Sequence, residues 1–247
     1  MVIPVRDDAD LLRRCLEALG RQTRPPEQII VVDDGSQDAS SAVAASFGAS
    51  VITGPPRGIA TAAATGYDAA EGAVIARLDA DSLPAEDWLE RLTGALARDP
   101  SLAAVTGGAR FLGGGPGGLR AQAATVYLGA YRAVLTPTLG HVPLFGSNMA
   151  FRREAWECVS AEVHRDDDLL HDDLDLSFHL GRSHRIRRVR GAGVGISLRA
   201  LRPDGQLVRR IRRGFHTVVI HWPRDFPPRR WWVRAQTLPA RTRAPKS

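Results

Sequence analysis

The sequence predicts an α/β protein built on a mostly parallel sheet of the nucleotide-binding type. Two observations carry this. Short apolar, β-branched runs alternate with stretches at helical spacing through the first half of the chain. The helical stretches are also long enough to cross back between parallel strands, as βαβ units require.

Element by element, Val2–Val5 reads as the first strand, and Leu11, Leu12, Cys15, Leu16 and Leu19 recur at helical spacing after it. Residues 28–33 (QIIVVD) form a buried strand, 39–47 a helix, 50–53 a short strand and 59–70 an alanine-rich helix. A strand over 73–78 precedes a helix over 84–97 with Pro84 in its first turn, and 102–106 is a fifth strand. GGGPGG at 113–118 is too irregular for a phosphate loop and reads as a flexible connection. A helix follows over 121–135, then a strand-like LFGSNMAF at 144–151. From 223 the chain is rich in Pro and Arg and is expected to be partly disordered.

The 247 residues are 44% hydrophobic, enough for a sizeable core. No run of about 18 apolar residues predicts a transmembrane helix. The first residues lack the basic-then-apolar pattern of a secretory signal. Cys15 and Cys158 do not make a disulfide framework, so a cytoplasmic protein is expected. Charge is divided: 15 basic against 25 acidic residues over 1–181, but 18 against 2 over 182–247. The basic quarter suits phosphates on a lipid surface, nucleic acid or an anionic substrate, or is simply a solvated face matched to the acidic body.

In open parallel sheets, ligands bind beyond the carboxyl ends of the strands. Two strands here run into acids, Asp33-Asp34-Gly35-Ser36 and Asp79-Ala80-Asp81, placing both groups on one edge. A D-x-D turn can offer carboxylates to a hard divalent cation while diphosphate oxygens fill other positions. A third acidic group lies in HRDDDLLHDDLDLSFHL, residues 164–180. Read as a helix, Leu170, Leu174 and Phe178 form its buried stripe, Asp172, Asp175 and His179 share another face, and Asp173 follows the row of Leu176 and Leu180. Asp166, Asp167 and Asp168 read as a solvated loop, and one or two of the aspartates as helix-start caps. A metal cage of His164, His171 and the aspartates would lack the His-x₃-His pair of zinc helices.

The stretches VIPVRDDADLLRRCLEAL, IIVVDDGSQD, RGIATAAATGYDAAEG, VIARLDADSLPAEDWLERL, FGSNMAFRREAW and DDLDLSFHL occur in the order found in family 2 glycosyltransferases, which the chain resembles over about residues 1–182. The resemblance implies the GT-A fold: a Rossmann-like, mostly parallel sheet with a smaller acceptor-side region, here followed by a basic C-terminal tail. Residues 1–110 are then expected as the nucleotide-sugar-binding half and 111–222 as the acceptor-side half, with 223–247, by its composition, as the tail. The resemblance also implies an inverting transfer from a nucleotide-diphosphate sugar to an acceptor hydroxyl or phosphate. Pro4, Val5, Arg6 and Asp8 would line the nucleotide pocket and Asp33 would accept a hydrogen bond from the base. Asp79 and Ala80 would approach the ribose or metal, and Asp81 would hold Mg²⁺ or Mn²⁺ on the diphosphate. Asn148 and Asp172 would lie on the donor-sugar or acceptor side, with Asp173 as general base.

Such a base is needed because an acceptor hydroxyl is a poor nucleophile until its proton is taken. Partial burial is expected to raise the pKa of Asp173. Ala64 stands where relatives often have Asn, so the resemblance implies either that a donor contact is lost there or that Arg57 replaces it. Gln206-Leu207-Val208-Arg209-Arg210 carries Arg where processive relatives have Trp, so a single-sugar transferase is expected. His216 or His221 is a further candidate metal ligand. The expected acceptor is lipid-linked or a glycan, with RDFPPRRWWVR as a peripheral contact on the inner membrane face. Two rival readings are a nucleic-acid- or anionic-surface-binding protein and a nucleotidyltransferase. The first rests on the arginine-rich end without a recognised motif, and the second lacks a glycine-rich triphosphate loop near the N-terminus.

Overall fold

The computed structural model describes residues 1–112, 119–167, 169–197 and 206–237. Its elements run β1 (Val2–Val5), α1 (Ala9–Gly20), β2 (Ile30–Asp33), α2 (Ser40–Ser46), β3 (Ser50–Thr53), α3 (Ile59–Asp68), β4 (Val74–Arg77), β5 (Ser82–Pro84) and α4 (Trp88–Arg98). Then follow β6 (Leu102–Leu112), α5 (Leu119–Leu139), β7 (Met149–Arg152), α6 (Arg153–Val159), α7 (Asp172–Ser183), β8 (Arg185–Ser197), α8 (Gln206–Asp225) and α9 (Pro227–Thr237). One sheet holds the strands in the order β3-β2-β1-β4-β7-β6-β8-β5. β3, β2, β1 and β4 are parallel, β7 runs antiparallel between β4 and β6, and β8 pairs parallel with β6.

Both faces of the sheet are covered, which is why β1, β2 and β4 are apolar except for Asp33 and Arg77 at the ends of β2 and β4. Successive side chains point to opposite faces. Ile3, Val5 and Val31 therefore pack with Leu12, Leu16 and Leu19 of α1 and with Trp88 and Leu92 of α4. Val2, Ile30 and Val32 pack on the other side with Ala62, Ala63 and Tyr67 of α3 and Trp156 of α6. A Cβ added at Gly66 would lie 2.3 Å from a methyl of Val2, so α3 needs its small residues to sit this close to β1.

The expected strand and helix sequence is observed through residue 152, with three differences. Pro84 does not start a helix. It ends β5, an edge strand where its missing N–H costs no ladder bond, and α4 begins at Trp88. β6 extends to Leu112, across the boundary expected at 110. In 144–151 the strand begins only at Met149. GGGPGG and Asp168 lie outside the described residues.

The tail differs most. The boundary expected near 223 falls inside α8, and residues to Thr237 are helical; residues 238–247 lie outside the described part. Composition suggested solvation, but Arg230 of α9 is buried. It donates to the Leu139 carbonyl at 2.6 Å, to Asp225 at 2.8 Å and to the Ser177 carbonyl at 3.3 Å. Trp231 Nε1 donates to the Pro137 carbonyl at 2.6 Å.

His141 sits beneath this contact. Its Nδ1 faces the Val142 carbonyl at 2.8 Å, which fixes the proton there and leaves Nε2 to accept from Arg230 at 3.2 Å. Burial, then the charges of Arg230 and Arg234, push its pKa down to about 3. The unfolded chain therefore binds this proton more readily than the fold. The resulting stability loss begins as pH falls below 6.5 and saturates near the folded value. A loss approaching about 1.4 kcal/mol per pH unit is expected within that window. Urea melts of His141→Gln should show a shallower acid slope than wild type, and an unchanged slope would refute the assignment.

Candidate active site

The site is built where β1, β2 and β4 end on one edge of the sheet. A cleft of about 990 Å³ opens there, lined by Pro4 and Val5 at the end of β1 and Arg6 and Asp8 after it, by Asp34 after β2 and by Asp79, Ala80 and Asp81 after β4. Its far wall is α8, which contributes Arg209, Arg210, Arg212, Arg213 and His216. Acidic strand ends thus face an arginine wall, a complementary setting for a polyanion that also carries a cation.

A second, smaller cavity of about 150 Å³ shares Asp79 and Asp81 with the first. It is lined by Gly146, Ser147, His171, Asp172 and Asp173, and by Arg210 and Arg213 of α8. The two cavities therefore meet at the D-x-D turn.

Arg77 links the turn to α7 and was read in the sequence only as part of a strand. It is fully buried at the end of β4. Its guanidinium donates to Asp79 at 3.1 Å, to the Tyr67 hydroxyl at 3.1 Å and, very closely, to Asp172. Asp79 also accepts from Ser147 Oγ at 2.5 Å. Asp79 and Asp172 are both held in place by this one cation.

Asp173 is buried at the start of α7, and its Oδ2 accepts the Gly146 N–H at 2.7 Å. His171 Nδ1 lies 2.6 Å from its Oδ1, an ion-pair distance, although the two are poorly aligned for a hydrogen bond. The expected raised pKa is not found. Burial does push the carboxyl up, but the charge of His171, the Gly146 N–H and Arg77 outweigh it and hold it at about 2. For His171, burial lowers the pKa and the neighbouring Asp173 charge more than reverses this.

Three candidate residues are placed differently from expectation. Asp33 does not line the cleft: its carboxylate accepts the Ser36 N–H at 2.7 Å and the Ser41 hydroxyl, tying the strand end to α2. Its neighbour Asp34 lines the cleft and accepts the N–H groups of Arg57 at 2.6 Å and Gly58 at 3.0 Å. Strand alternation carries that signal, since adjacent side chains at a strand end point to opposite sides. Arg57 turns its guanidinium out to Asp166 at 2.7 Å.

Asn148 is completely buried away from both cavities. Its amide donates to the Gly108 and Ala192 carbonyls and accepts from Trp88 Nε1 at 2.7 Å, clamping β6, β8 and α4. The neighbouring Gly146 and Ser147 reach the cavity instead. Asp167, read as solvated, pairs with His216 at 3.0 Å. Of the two histidines, His216 lines the large cleft and His221 does not.

This mixed, mostly parallel sheet flanked by helices has the GT-A architecture of the solved structures it matches. The chain belongs to glycosyl transferase family 2, whose family model matches residues 1–160. It is similar to the glycosyltransferase AglE of Haloferax volcanii, at 35% identity over 99 residues, 37% of this chain and 33% of that one. It is also similar to the pre-mycofactocin glycosyltransferase of Mycobacterium tuberculosis, at 39% identity over 109 residues, 42% and 22% of the two chains. The matched stretch thus spans a third or less of these relatives' own length.

Among solved structures, the fold matches the mannosyltransferase PcManGT from Pyrobaculum calidifontis in complex with GDP-Man and Mn²⁺. The TM-score is 0.66 at 21% identity, covering 96% of this chain and 68% of that one. It also matches glucosyl-3-phosphoglycerate synthase from Mycobacterium tuberculosis in complex with Mn²⁺, UDP and glucosyl-3-phosphoglycerate. There the TM-score is 0.63 at 21% identity, covering 89% and 77%.

Proposed function

We propose that the chain transfers a single sugar, with inversion, from a nucleotide-diphosphate sugar in the large cleft to an acceptor in the adjoining cavity. The observation that carries this reading is the meeting of the two cavities at Asp79 and Asp81 beneath the arginines of α8. The carboxylates there are the hard oxygen donors that suit Mg²⁺ or Mn²⁺. Asp81 is the proposed ligand, with Asp79 beside it and His216 as a further candidate on the same cleft. When bound, such an ion neutralises the charge that grows on the departing diphosphate.

The chain's own groups do the rest. Arg209, Arg210, Arg212 and Arg213 offer charge-assisted donors to the diphosphate. In the displacement, the acceptor oxygen bonds to the anomeric carbon, the bond to the diphosphate breaks, and its electron pair leaves with the diphosphate. For a hydroxyl acceptor the displaced proton goes to the Asp173 carboxylate, which opens on the acceptor cavity.

A second reading of the acceptor is favoured by the low pKa of Asp173 and by Arg210 and Arg213 in the same cavity. A carboxylate held below its usual range is a weaker base, whereas a phosphate acceptor is already ionised and needs none. Asp173→Asn distinguishes the two. Transfer to an alcohol is expected to fall by about 10²–10⁴-fold, while transfer to a phosphate monoester should hold near wild type. Equal rates on alcohols before and after the change would remove Asp173 from the base role.

Membrane contact through this region is also proposed, with its seat moved from the expected tail onto α8. Ile211, Phe215, Val219 and Trp222 of α8, with Phe226 just after it, recur three or four residues apart and are all exposed. Arginines flank this stripe, a pattern suited to the interface of an anionic bilayer. No helix among the described residues is long and apolar enough to cross a membrane. The full chain is expected to float with phosphatidylserine vesicles, and the pair Phe215→Ser with Trp222→Ser to stay at the bottom. Equal flotation of both would end the proposal.

A further inference from the structure

Outside the two cavities, four side chains converge where α7, α8 and the loop before α7 meet. Asp175 and His179 stand one turn apart on α7, His221 reaches in from α8, and His164 comes from the loop. Their ligand atoms all lie within 4.8 Å of one another. Asp175 Oδ1 is the centre: His164 Nδ1 and His221 Nε2 each lie 2.8 Å from it and His179 Nε2 lies 3.4 Å away. The other oxygen, Oδ2, accepts the backbone N–H of His164 at 3.0 Å.

Hydrogen bonding accounts for only part of this arrangement. His179 is 5% exposed, its Nε2 points into the cluster, and neither ring nitrogen has a hydrogen-bond partner. A buried imidazole left this way demands an explanation. Three imidazoles, with ring centroids 5.0 to 5.7 Å apart, crowd one carboxylate oxygen that already accepts from two of them. A cation bound by the ring lone pairs would satisfy all three at once.

The donor set is three imidazole nitrogens and one carboxylate oxygen, which suits a tetrahedral zinc-class ion. Bonds of about 2.0–2.2 Å would set the donors roughly 3.3–3.6 Å apart, a small adjustment from the separations here. Carboxylates also stand behind two of the rings, as they do where a metal-bound imidazole is oriented. Glu162 lies 3.7 Å from His179 Nδ1, and Asp225 lies 3.8 Å from His221 Nδ1. The half-exposed His164 gives the ion a route in.

We propose that His164, Asp175, His179 and His221 form a second metal site, for a zinc-class divalent ion, separate from the strand-end aspartates. It ties the loop before α7 to α7 and α8, the segments that present Asp172, Asp173 and the arginine wall to the two cavities. The pairing was not legible in the sequence, because Asp175 and His221 are 46 residues apart and the motif has one helical pair with Asp, not His, as its first member.

The test uses the full chain after dialysis against chelator, titrated with Co²⁺ and then Zn²⁺. The expected result is one equivalent of Co²⁺ with the strong visible absorption of a tetrahedral site, displaced by Zn²⁺. The melting temperature should rise with Zn²⁺. The absorption should persist in Asp81→Ala and disappear in His179→Ala and in His164→Ala. The last variant changes a half-exposed loop residue and so keeps the test valid should His179→Ala fail to fold. No tetrahedral absorption in wild type, or equal absorption in His164→Ala, overturns the site. Loss in Asp81→Ala with retention in His164→Ala also overturns it, by assigning the ion to the strand end.

Discussion

Replacing Asp81 with alanine should lower sugar transfer by about 10²–10³-fold, the usual cost of losing one group that stabilises developing charge. Asp81 opens on both cavities. Asp79 cannot take over from it, because one of its oxygens is held by Arg77 and the other by Ser147. The loss should be specific to function, since Asp81 is not a core residue. Thermal melts should show near-wild-type stability, with the Mn²⁺-dependent shift given by UDP- or GDP-sugars abolished. A rate within about threefold of wild type, well below that expected loss, would mean that the diphosphate is neutralised elsewhere.

Arg77→Met should have the largest effect on stability. Arg77 is completely buried, and its removal leaves Asp79 and Asp172 without their shared cation. Breaking a buried ion pair by removing one partner costs about 3–5 kcal/mol, mostly through the charge left behind. In a chain of this size that lowers the melting temperature by roughly 10 °C. The cause can be separated from lost packing by adding Asp172→Leu. The double variant should recover part of the loss, whereas strict additivity would show that Arg77 and Asp172 are not coupled.

Much of the fold was legible because the first half obeys local rules. Residues 50–53 and the strand at Val2–Val5 fall where their β-branched patterns put them. The strand-end cleft followed from topology and the acidic ends, and Pro4, Val5, Arg6, Asp8, Asp79, Ala80 and Asp81 all line it. What the sequence hid was the use of polar groups inside the protein. Asn148 looks like a ligand contact in a short motif, yet its amide is spent on two carbonyls and an indole forty or more residues away. Arg77 sits in an apolar run and gives no sign that two carboxylates close on it. Asp33 and Asp34 differ only by strand parity. The tail looked solvated because composition cannot show that Arg230 finds its acceptors on α5, α7 and α8.

Helix α8 joins two surfaces of opposite character in one body. Its arginines wall the large cleft while Phe215 and Trp222 lie open to the outside. A twenty-residue helix cannot shift one face without carrying the other. Any displacement of α8 on nucleotide binding therefore makes the two occupancies reciprocal: whatever factor a lipid surface contributes to nucleotide affinity, the nucleotide must return to the lipid.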